Sequence, residues 1–264
     1  MSKGKSPGVA SRGKVDLPKH SAGKIGYGID EPRTVVELLV AGILAVAVGI
    51  VISAYTAPSR TADAALIGGS GVGFLILVVM AALYWSSRLG KPREMTKLVN
   101  GIPWGGEEVV LDLGCGRGLA AIMAAKKLEA GYVVGADMWY KARVSGNDPH
   151  SLLANATEEK VEARVAAVKA SSVQLPFTDG SFDAIVSGVA IHHLASRRHR
   201  DSLFAEIARV LKPGGRLGIL DLGNGNEYSA LLQNLGMRDI EMHRLRFSSF
   251  PPFHVVLARK PYSE

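Results

Sequence analysis

Two long stretches without a charged residue most constrain the fold of this chain. They cover residues 38–59 and 64–87, and the short polar segment PSRTAD, Pro58 to Asp63, separates them. Each stretch reaches the ~20 residues that an α-helix needs to cross the hydrocarbon layer of a bilayer. The pattern predicts a transmembrane helical hairpin within residues 34–87, with helices at about 36–57 and 64–86. A buried hairpin in a soluble protein is the alternative.

Small residues recur at helical spacing in both stretches. Such residues allow two helices to approach closely in lipid, although they are also common in membrane helices generally. They are Ala41, Ala45 and Gly49 in the first stretch, and Gly69 and Gly73 in the second.

The basic residues lie on the outer sides of this hairpin. The chain has a net charge of +7, and residues 1–33 contain seven Lys/Arg against three acidic residues, whereas the inner loop has only Arg60. The positive-inside rule predicts an integral membrane protein with its N-terminus and its large C-terminal part on the cytosolic side. With few large apolar residues, residues 1–33 are predicted to be a disordered basic tail. With one aromatic residue in this tail, nucleic-acid binding is not expected.

The single cysteine, Cys115, excludes an internal disulfide framework and fits a reducing compartment. No metal site is expected, because no further Cys or His shows the spacing of a ligand set.

A soluble α/β domain is predicted to follow a juxtamembrane linker at residues 88–106. Apolar strand-like segments alternate with amphipathic segments over residues 107–264, which favours a Rossmann-like, doubly wound and mostly parallel seven-stranded sheet. Strands are expected at residues 108–113, 132–136, 165–169, 182–188 and 216–222, with two late antiparallel strands flanking Pro251 and Pro252.

The stretch VVLDLGCGRGLA, Val109 to Ala120, indicates a nucleotide-binding loop of an unusual kind. Its glycines permit close backbone approach. The carboxylate of Asp112, however, would repel a pyrophosphate by about 1–4 kcal/mol. The loop therefore suits a ligand with positive charge and no phosphate. Asp137 ends the next strand, 21 residues after Gly116, where a carboxylate can accept both ribose hydroxyls. S-adenosylmethionine meets these conditions, with a ribose, an ammonium group, a sulfonium and no phosphate.

Five stretches over residues 107–223 resemble the class I S-adenosylmethionine-dependent methyltransferases of the type-11 group, similar to quinone-biosynthesis C-methyltransferases. They are VVLDLGCGRG, VVGADMW, SGNDPHSLLANATEEKVEARV, LPFTDGSFDAIVSGVAIHHL and EIARVLKPGGRLGILDLG. The resemblance implies that Asp112, Gly114, Cys115 and Gly116 surround the methionine end of the cofactor. It further implies that Asp137 holds the ribose and that Met138 packs on the adenine.

The adenine end departs from the family pattern. Ser171 stands where the family usually has an acidic residue, and a neutral hydroxyl binds more weakly than a carboxylate. Ser171, Ser172 and Val173 are the expected adenine contacts.

GVAIHHL places His192 and His193 after the fourth strand, at the carboxyl edge where open α/β sheets bind ligands. One interpretation makes His192 a general base; the other makes it only a wall of the pocket.

These features predict a membrane-anchored methyltransferase with a small or lipophilic acceptor and the lipid bilayer as a partner. A catalytically silent membrane scaffold of the same fold and an NAD(P)-dependent oxidoreductase are the alternatives.

Overall fold

The computed structural model describes residues 26–27, 32–56, 58–140, 144–171, 173–223, 225–244 and 250–262. Most of the predicted basic tail lies outside the described residues, and so does Ser172.

Two long apolar helices form an antiparallel pair at the N-terminal side. Helix α1 covers Pro32–Thr56 and α2 covers Arg60–Trp85, with the side chain of Ser59 accepting a hydrogen bond from the Ala62 N–H. Both are long and apolar enough to cross a membrane, judged by length and composition alone. Few of the residues in their apolar stretches are buried within the protein. They lie close to the predicted spans.

Glycines bring the backbones of α1 and α2 into direct contact. A Cβ on Gly69 would lie 2.8 Å from both the carbonyl oxygen of Ala45 and the Cα of Gly49. A Cβ on Gly73 would lie 2.5 Å from a methyl group of Val46. Gly42, rather than Ala41, is buried on the α1 face. The predicted small-residue contact therefore forms in the structure, with Gly42 in place of Ala41.

Helical structure continues beyond α2 through most of the segment predicted as a linker. A π-turn covers Ser86–Gly90, in which the Lys91 N–H donates to the Ser86 carbonyl, and α3 covers Lys91–Gly101. Pro92 has no N–H for the carbonyl four residues earlier, which accounts for the wider turn at this position. Met95, Leu98 and Val99 of α3 are buried, so this helix is part of the globular domain.

The domain is a seven-stranded sheet with the order β3-β2-β1-β4-β5-β7-β6. Strands β1 to β5 are parallel, and β7 is antiparallel to both β5 and β6. The strands are β1 Val109–Leu113, β2 Tyr132–Asp137, β3 Val165–Lys169, β4 Phe182–Gly188, β5 Leu211–Asp221, β6 Arg238–Arg244 and β7 His254–Arg259. The remaining helices are α4 Leu119–Ala125, α5 Pro149–Glu158, α6 Arg197–Val210 and α7 Gly225–Asn234, with short 3-10 turns at Glu162–Arg164 and Ile191–His193. This architecture confirms the predicted fold class.

Two apolar clusters cover the faces of the sheet. One joins the sheet to α3, α4 and α5 through residues such as Met95, Ile122 and Leu152. The other joins it to α6 and α7 through Phe204 and Tyr228. The carboxyl ends of the parallel strands and the loops that follow them stay open between these layers, and the candidate site residues lie there.

The glycine contact makes a testable prediction about the hairpin. Gly69→Leu forces a side chain into the α1 backbone and should lower the thermal midpoint of the full-length protein in detergent by several degrees, because overpacking costs ~1–3 kcal/mol. Circular dichroism measures this. Gly68→Leu is the matched control, since its Cβ meets nothing within 4 Å. Equal midpoints for the two variants would contradict the observed packing.

Candidate functional site

The loop from Gly114 to Gly118 joins β1 to α4 and requires glycine. Gly114, Gly116 and Gly118 have φ values of +70°, +51° and +87°, in the left-handed region that side chains rarely adopt. A Cβ on Gly114 would lie 2.3 Å from the Cβ of Ala190. The loop is tied to β2 because the N–H groups of Gly114 and Cys115 donate to the Ala136 carbonyl at 2.8 and 3.2 Å.

Asp112 presents a buried carboxylate beside this loop. Its Oδ2 accepts a hydrogen bond of 2.8 Å from the Ala121 N–H, and its Oδ1 has no partner among the described residues. The residue is only 1% exposed. Burial, which disfavours the charged form, raises its pKa to about 7, and the charge of Asp137 adds to this; the Ala121 N–H and Lys91 oppose it.

A cavity lies beside Asp112, and we call it the glycine-loop cavity. It is lined by Asp112, the glycine loop, Asp137, residues 188–190 and His193, together with residues from outside the predicted site. Those additional residues include Lys91 and Met95 of α3 and Tyr27 from the segment before α1. An unpartnered carboxylate oxygen on a cavity lining is suited to a cationic ligand group.

A second cavity, the Met138 cavity, adjoins the first. Met138, Ala170, Leu194 and Leu203 give it an apolar wall, and it shares Gly114, Asp137, Ala190 and His193 with the glycine-loop cavity. The structure thus brings together the predicted residues Asp112, Gly114, Cys115, Gly116, Asp137 and Met138.

Asp137 lies at the junction of the two cavities and is fixed by backbone donors. Its Oδ2 accepts from the Gly116 N–H at 2.9 Å and its Oδ1 from the Trp139 N–H at 2.6 Å. The indole N–H of Trp139 donates to the Gly116 carbonyl at 3.1 Å. Each carboxylate oxygen has a second lone pair, so Asp137 can still accept hydrogen bonds from a ligand.

The predicted adenine contacts are less well placed. Ser171 and Val173 are not among the residues lining the Met138 cavity, to which Ala170 belongs. The Ser171 hydroxyl instead accepts a hydrogen bond of 3.4 Å from the Val173 N–H. Their contact with adenine stays a prediction.

Cys115 lines the glycine-loop cavity as a neutral thiol. Burial, followed by the charges of Asp112 and Asp137, raises its pKa well above the ordinary value. A thiol that stays protonated is a poor nucleophile, so its role here is to fill space.

His192 is held by a buried acid that the sequence analysis missed. Nδ1 of His192 lies 2.5 Å from Oδ1 of Asp221, and the His192 N–H donates to Asp221 Oδ2 at 2.8 Å. The Tyr228 hydroxyl donates to the same Oδ2 at 3.1 Å, and Asp221 is 1% exposed. Asp221 is the last residue of β5, in LDLG, so its position at the carboxyl edge could have been predicted from the sequence. The contact of Tyr228 with it could not.

The two histidines occupy different surroundings. His193 lines both cavities, whereas His192 lines neither. Their rings are in contact, with centroids 4.0 Å apart, and the His192 side chain is 22% exposed. His192 is therefore positioned at the rim of the cavities and not inside them.

Gly26 and Tyr27, which precede α1, contact the domain beside the glycine-loop cavity. The Tyr27 hydroxyl donates to Glu159 at 3.2 Å, and the Asn155 amide donates to the Gly26 carbonyl at 3.3 Å. Burial, followed by the charge of Glu159, raises the pKa of Tyr27. No motif or periodicity in the sequence predicts this contact.

Comparison with known proteins shows what the domain resembles. Residues 111–219 match the family described as a methyltransferase domain. The 27-O-demethylrifamycin SV methyltransferase of Amycolatopsis mediterranei is 32% identical over 143 residues, which cover 52% of this chain and 49% of that protein. The chloroplastic 2-phytyl-1,4-beta-naphthoquinone methyltransferase of Arabidopsis thaliana is 31% identical over 135 residues, covering 48% and 47%. The chain thus spans about half the length of these curated relatives.

A solved structure supports the same fold. Phosphoethanolamine N-methyltransferase 2 of Haemonchus contortus, solved with S-adenosyl-L-methionine, superposes with a TM-score of 0.52 at 20% identity, covering 64% of this chain and 52% of that chain. The match to a methyltransferase domain confirms the prediction of S-adenosylmethionine as the cofactor. The unpartnered oxygen of Asp112 and the glycine loop that a Cβ would block fit this cation.

The raised pKa of Asp112 predicts a pH-dependent affinity for S-adenosylmethionine. The carboxylate attracts the ligand's positive charge, and with a pKa of about 7 it is ionised above pH 7 and becomes protonated as the pH falls. The affinity should fall about tenfold from pH 8 to pH 6. Titration calorimetry at both pH values measures this.

Asp112→Asn is the control, because the amide oxygen still accepts from the Ala121 N–H but carries no charge. This variant should bind weakly and almost equally at both pH values. A variant that keeps the full pH dependence would refute the assignment to Asp112.

Proposed function

We propose that this chain is a membrane-anchored methyltransferase that transfers the methyl group of S-adenosylmethionine to a lipophilic acceptor. The observation that carries the proposal is the unpartnered carboxylate oxygen of Asp112, buried beside a glycine loop within a matched methyltransferase domain. An NAD(P)-dependent oxidoreductase fits poorly, since the same carboxylate would repel a pyrophosphate.

Each end of the cofactor has a proposed set of contacts. Asp112 binds the ammonium group, Asp137 accepts the ribose hydroxyls, and Met138 packs on the adenine within the apolar cavity that it lines. When bound, S-adenosylmethionine supplies an electrophilic methyl group on its sulfonium. The protein's task is then to hold the acceptor in line with that methyl group, and positioning alone lowers the barrier to transfer substantially.

His192 is the proposed base that removes a proton from the acceptor. Asp221 binds Nδ1 of His192 and thereby keeps the proton on that nitrogen, which leaves Nε2 as the basic nitrogen. Tyr228 and the His192 N–H hold the other oxygen of Asp221, so the carboxylate cannot turn away from the ring. The basic Nε2 can then accept the proton that the acceptor releases.

The lipophilic acceptor is inferred from the anchor. Lys91 lines the glycine-loop cavity and follows Trp85, the last residue of α2, by six residues, which is about 9 Å along a helix. A cavity this close to the end of a membrane span is within reach of a molecule dissolved in the bilayer. One relative is named for a phytyl naphthoquinone, and a quinone or another isoprenoid compound fits this position.

The proposed topology puts the N-terminus and the domain on the cytosolic side. Basic residues flank both outer ends of the hairpin. The contacts of Gly26 and Tyr27 with α5 and with Glu159 next to it support this arrangement, because they join chain segments on either side of the two spans.

Membrane anchoring makes a direct prediction. The full-length protein should stay in the membrane pellet after extraction with alkaline carbonate, since two apolar helices of 25 and 26 residues are expected to remain in the lipid. Release into the supernatant would refute integral anchoring, whereas a peripheral membrane protein in the same sample should be released.

Methyl transfer is tested with purified full-length protein, a lipid extract of the source membranes and S-adenosylmethionine labelled in its methyl group. Mass spectrometry should find one or more labelled lipids. His192→Gln should lower the rate of labelling about 10²- to 10⁴-fold, the usual contribution of a general base, and leave the calorimetric affinity for S-adenosylmethionine unchanged.

Asp137→Ala provides the complementary control, because it should lose both affinity and labelling. If the wild-type protein binds S-adenosylmethionine but labels no lipid, the scaffold alternative is favoured. If it binds no S-adenosylmethionine, the methyltransferase proposal fails.

A further inference from the structure

The charges around the glycine-loop cavity pose a problem for the methionine end of the cofactor. That end is a zwitterion, with an ammonium and a carboxylate on the same carbon. Asp112 and Asp137 both line the cavity, and their negative charges suit the ammonium only. Two like charges 4 Å apart repel by about 4 kcal/mol at the effective dielectric of a protein surface. The ligand's carboxylate therefore needs a cation nearby.

Two basic side chains line this cavity, Lys91 and Arg117. The guanidinium of Arg117 donates to the Ser145 carbonyl at 3.2 Å, and the group whose charge most affects it is Arg88 in the π-turn. One of its N–H groups is thus directed toward the 144–147 loop, whereas its Nε has no hydrogen-bond partner among the described residues. Lys91 is the cation whose charge lowers the pKa of Asp112, so it lies near the proposed ammonium site.

We propose that Lys91 binds the carboxylate of the methionine moiety, while Asp112 binds its ammonium group. The inference rests on the proposed function, since it takes S-adenosylmethionine as the ligand. The ammonium and carboxylate of an α-amino acid are separated by one carbon, and Lys91 and Asp112 lie on the same cavity. An anion and a cation on the cavity wall match the two charges of the ligand.

The position of Lys91 is fixed by the packing of α3. Met95, one turn further along the helix, is fully buried, and its terminal methyl would lie 2.6 Å from a Cβ on Gly188 at the end of β4. Leu98 would lie 3.0 Å from a Cβ on Gly218 of β5. Since α3 rests on glycines of two strands, its first residue is held over the glycine loop.

This assignment gives the anchor a part in cofactor binding. Lys91 is the first residue of α3, and its N–H closes the π-turn that continues α2. One uninterrupted helical segment, Arg60–Gly101, thus contains both the second apolar span and the proposed carboxylate ligand. The orientation of the membrane helix and the position of the cofactor subsite are mechanically linked.

The test compares two ligands that differ only in the carboxylate. Titration calorimetry on the full-length protein in detergent is carried out with S-adenosylmethionine and with its decarboxylated form, which keeps the ammonium, the sulfonium and the nucleoside. Lys91→Met should weaken S-adenosylmethionine binding about ten- to a hundredfold, as expected for loss of a charge-assisted hydrogen bond. Affinity for the decarboxylated ligand should be unchanged or higher. Lys91→Arg should restore the preference for the carboxylate.

Two further variants act as controls. Arg93→Met removes an exposed charge from the same helix and should change neither affinity. Arg117→Met removes the other basic side chain of the cavity and should leave the ratio of the two affinities intact.

Three results would overturn the proposal. The first is an equal loss of affinity for both ligands in Lys91→Met, and the second is a collapse of the ratio of the two affinities in Arg117→Met instead. The third is a wild-type protein that binds both ligands with equal affinity. A wild-type protein that binds neither ligand would refute the proposed function itself, so the two failures are distinguishable.

Discussion

The buried carboxylate of Asp112 is the constraint on which the rest of the site depends. A carboxylate that is 1% exposed and has only one of its oxygens hydrogen-bonded is costly, and the cost appears as a pKa raised to about 7. A cationic ligand group would offset this free-energy cost, because it would pair with the oxygen that has no partner. The same carboxylate excludes anionic ligands from the loop. In the proposed function, Asp112 binds the ammonium group and disfavours a pyrophosphate in the glycine loop.

The second buried acid, Asp221, has the opposite arrangement. Both of its oxygens are partnered, by the backbone and ring of His192, the Leu222 N–H and the Tyr228 hydroxyl. A fully satisfied carboxylate has no need of a ligand and instead fixes the orientation of its neighbours. The two acids thus differ at the carboxyl edge of the sheet: Asp112 has an oxygen without a partner, and Asp221 is held on both oxygens.

Sequence reasoning located the parts of the site that lie close together in the chain. Asp112 and Asp137 lie near the carboxyl ends of two adjacent parallel strands, and the glycine loop follows the first of them, so the strand pattern alone brings these residues to one edge. It could not find Tyr27 or Lys91, because nothing in local periodicity says where a segment before or after a membrane hairpin returns to the domain. The contacts around Asp221 could not be predicted for a related reason, since Tyr228 lies on a separate helix, α7.

A series of close contacts connects the two apolar helices to the glycine loop. The backbones of α1 and α2 touch at Gly49 and Gly69, which fixes the direction of α2. The π-turn carries that direction into α3 without a flexible break, and Met95 seats α3 on Gly188 at the end of β4. These close-packed glycine contacts leave little room for movement between the elements, because any side chain at these positions would overlap its neighbour. The helical hairpin is thus attached to the domain through α3, whose first residue, Lys91, lines the glycine-loop cavity.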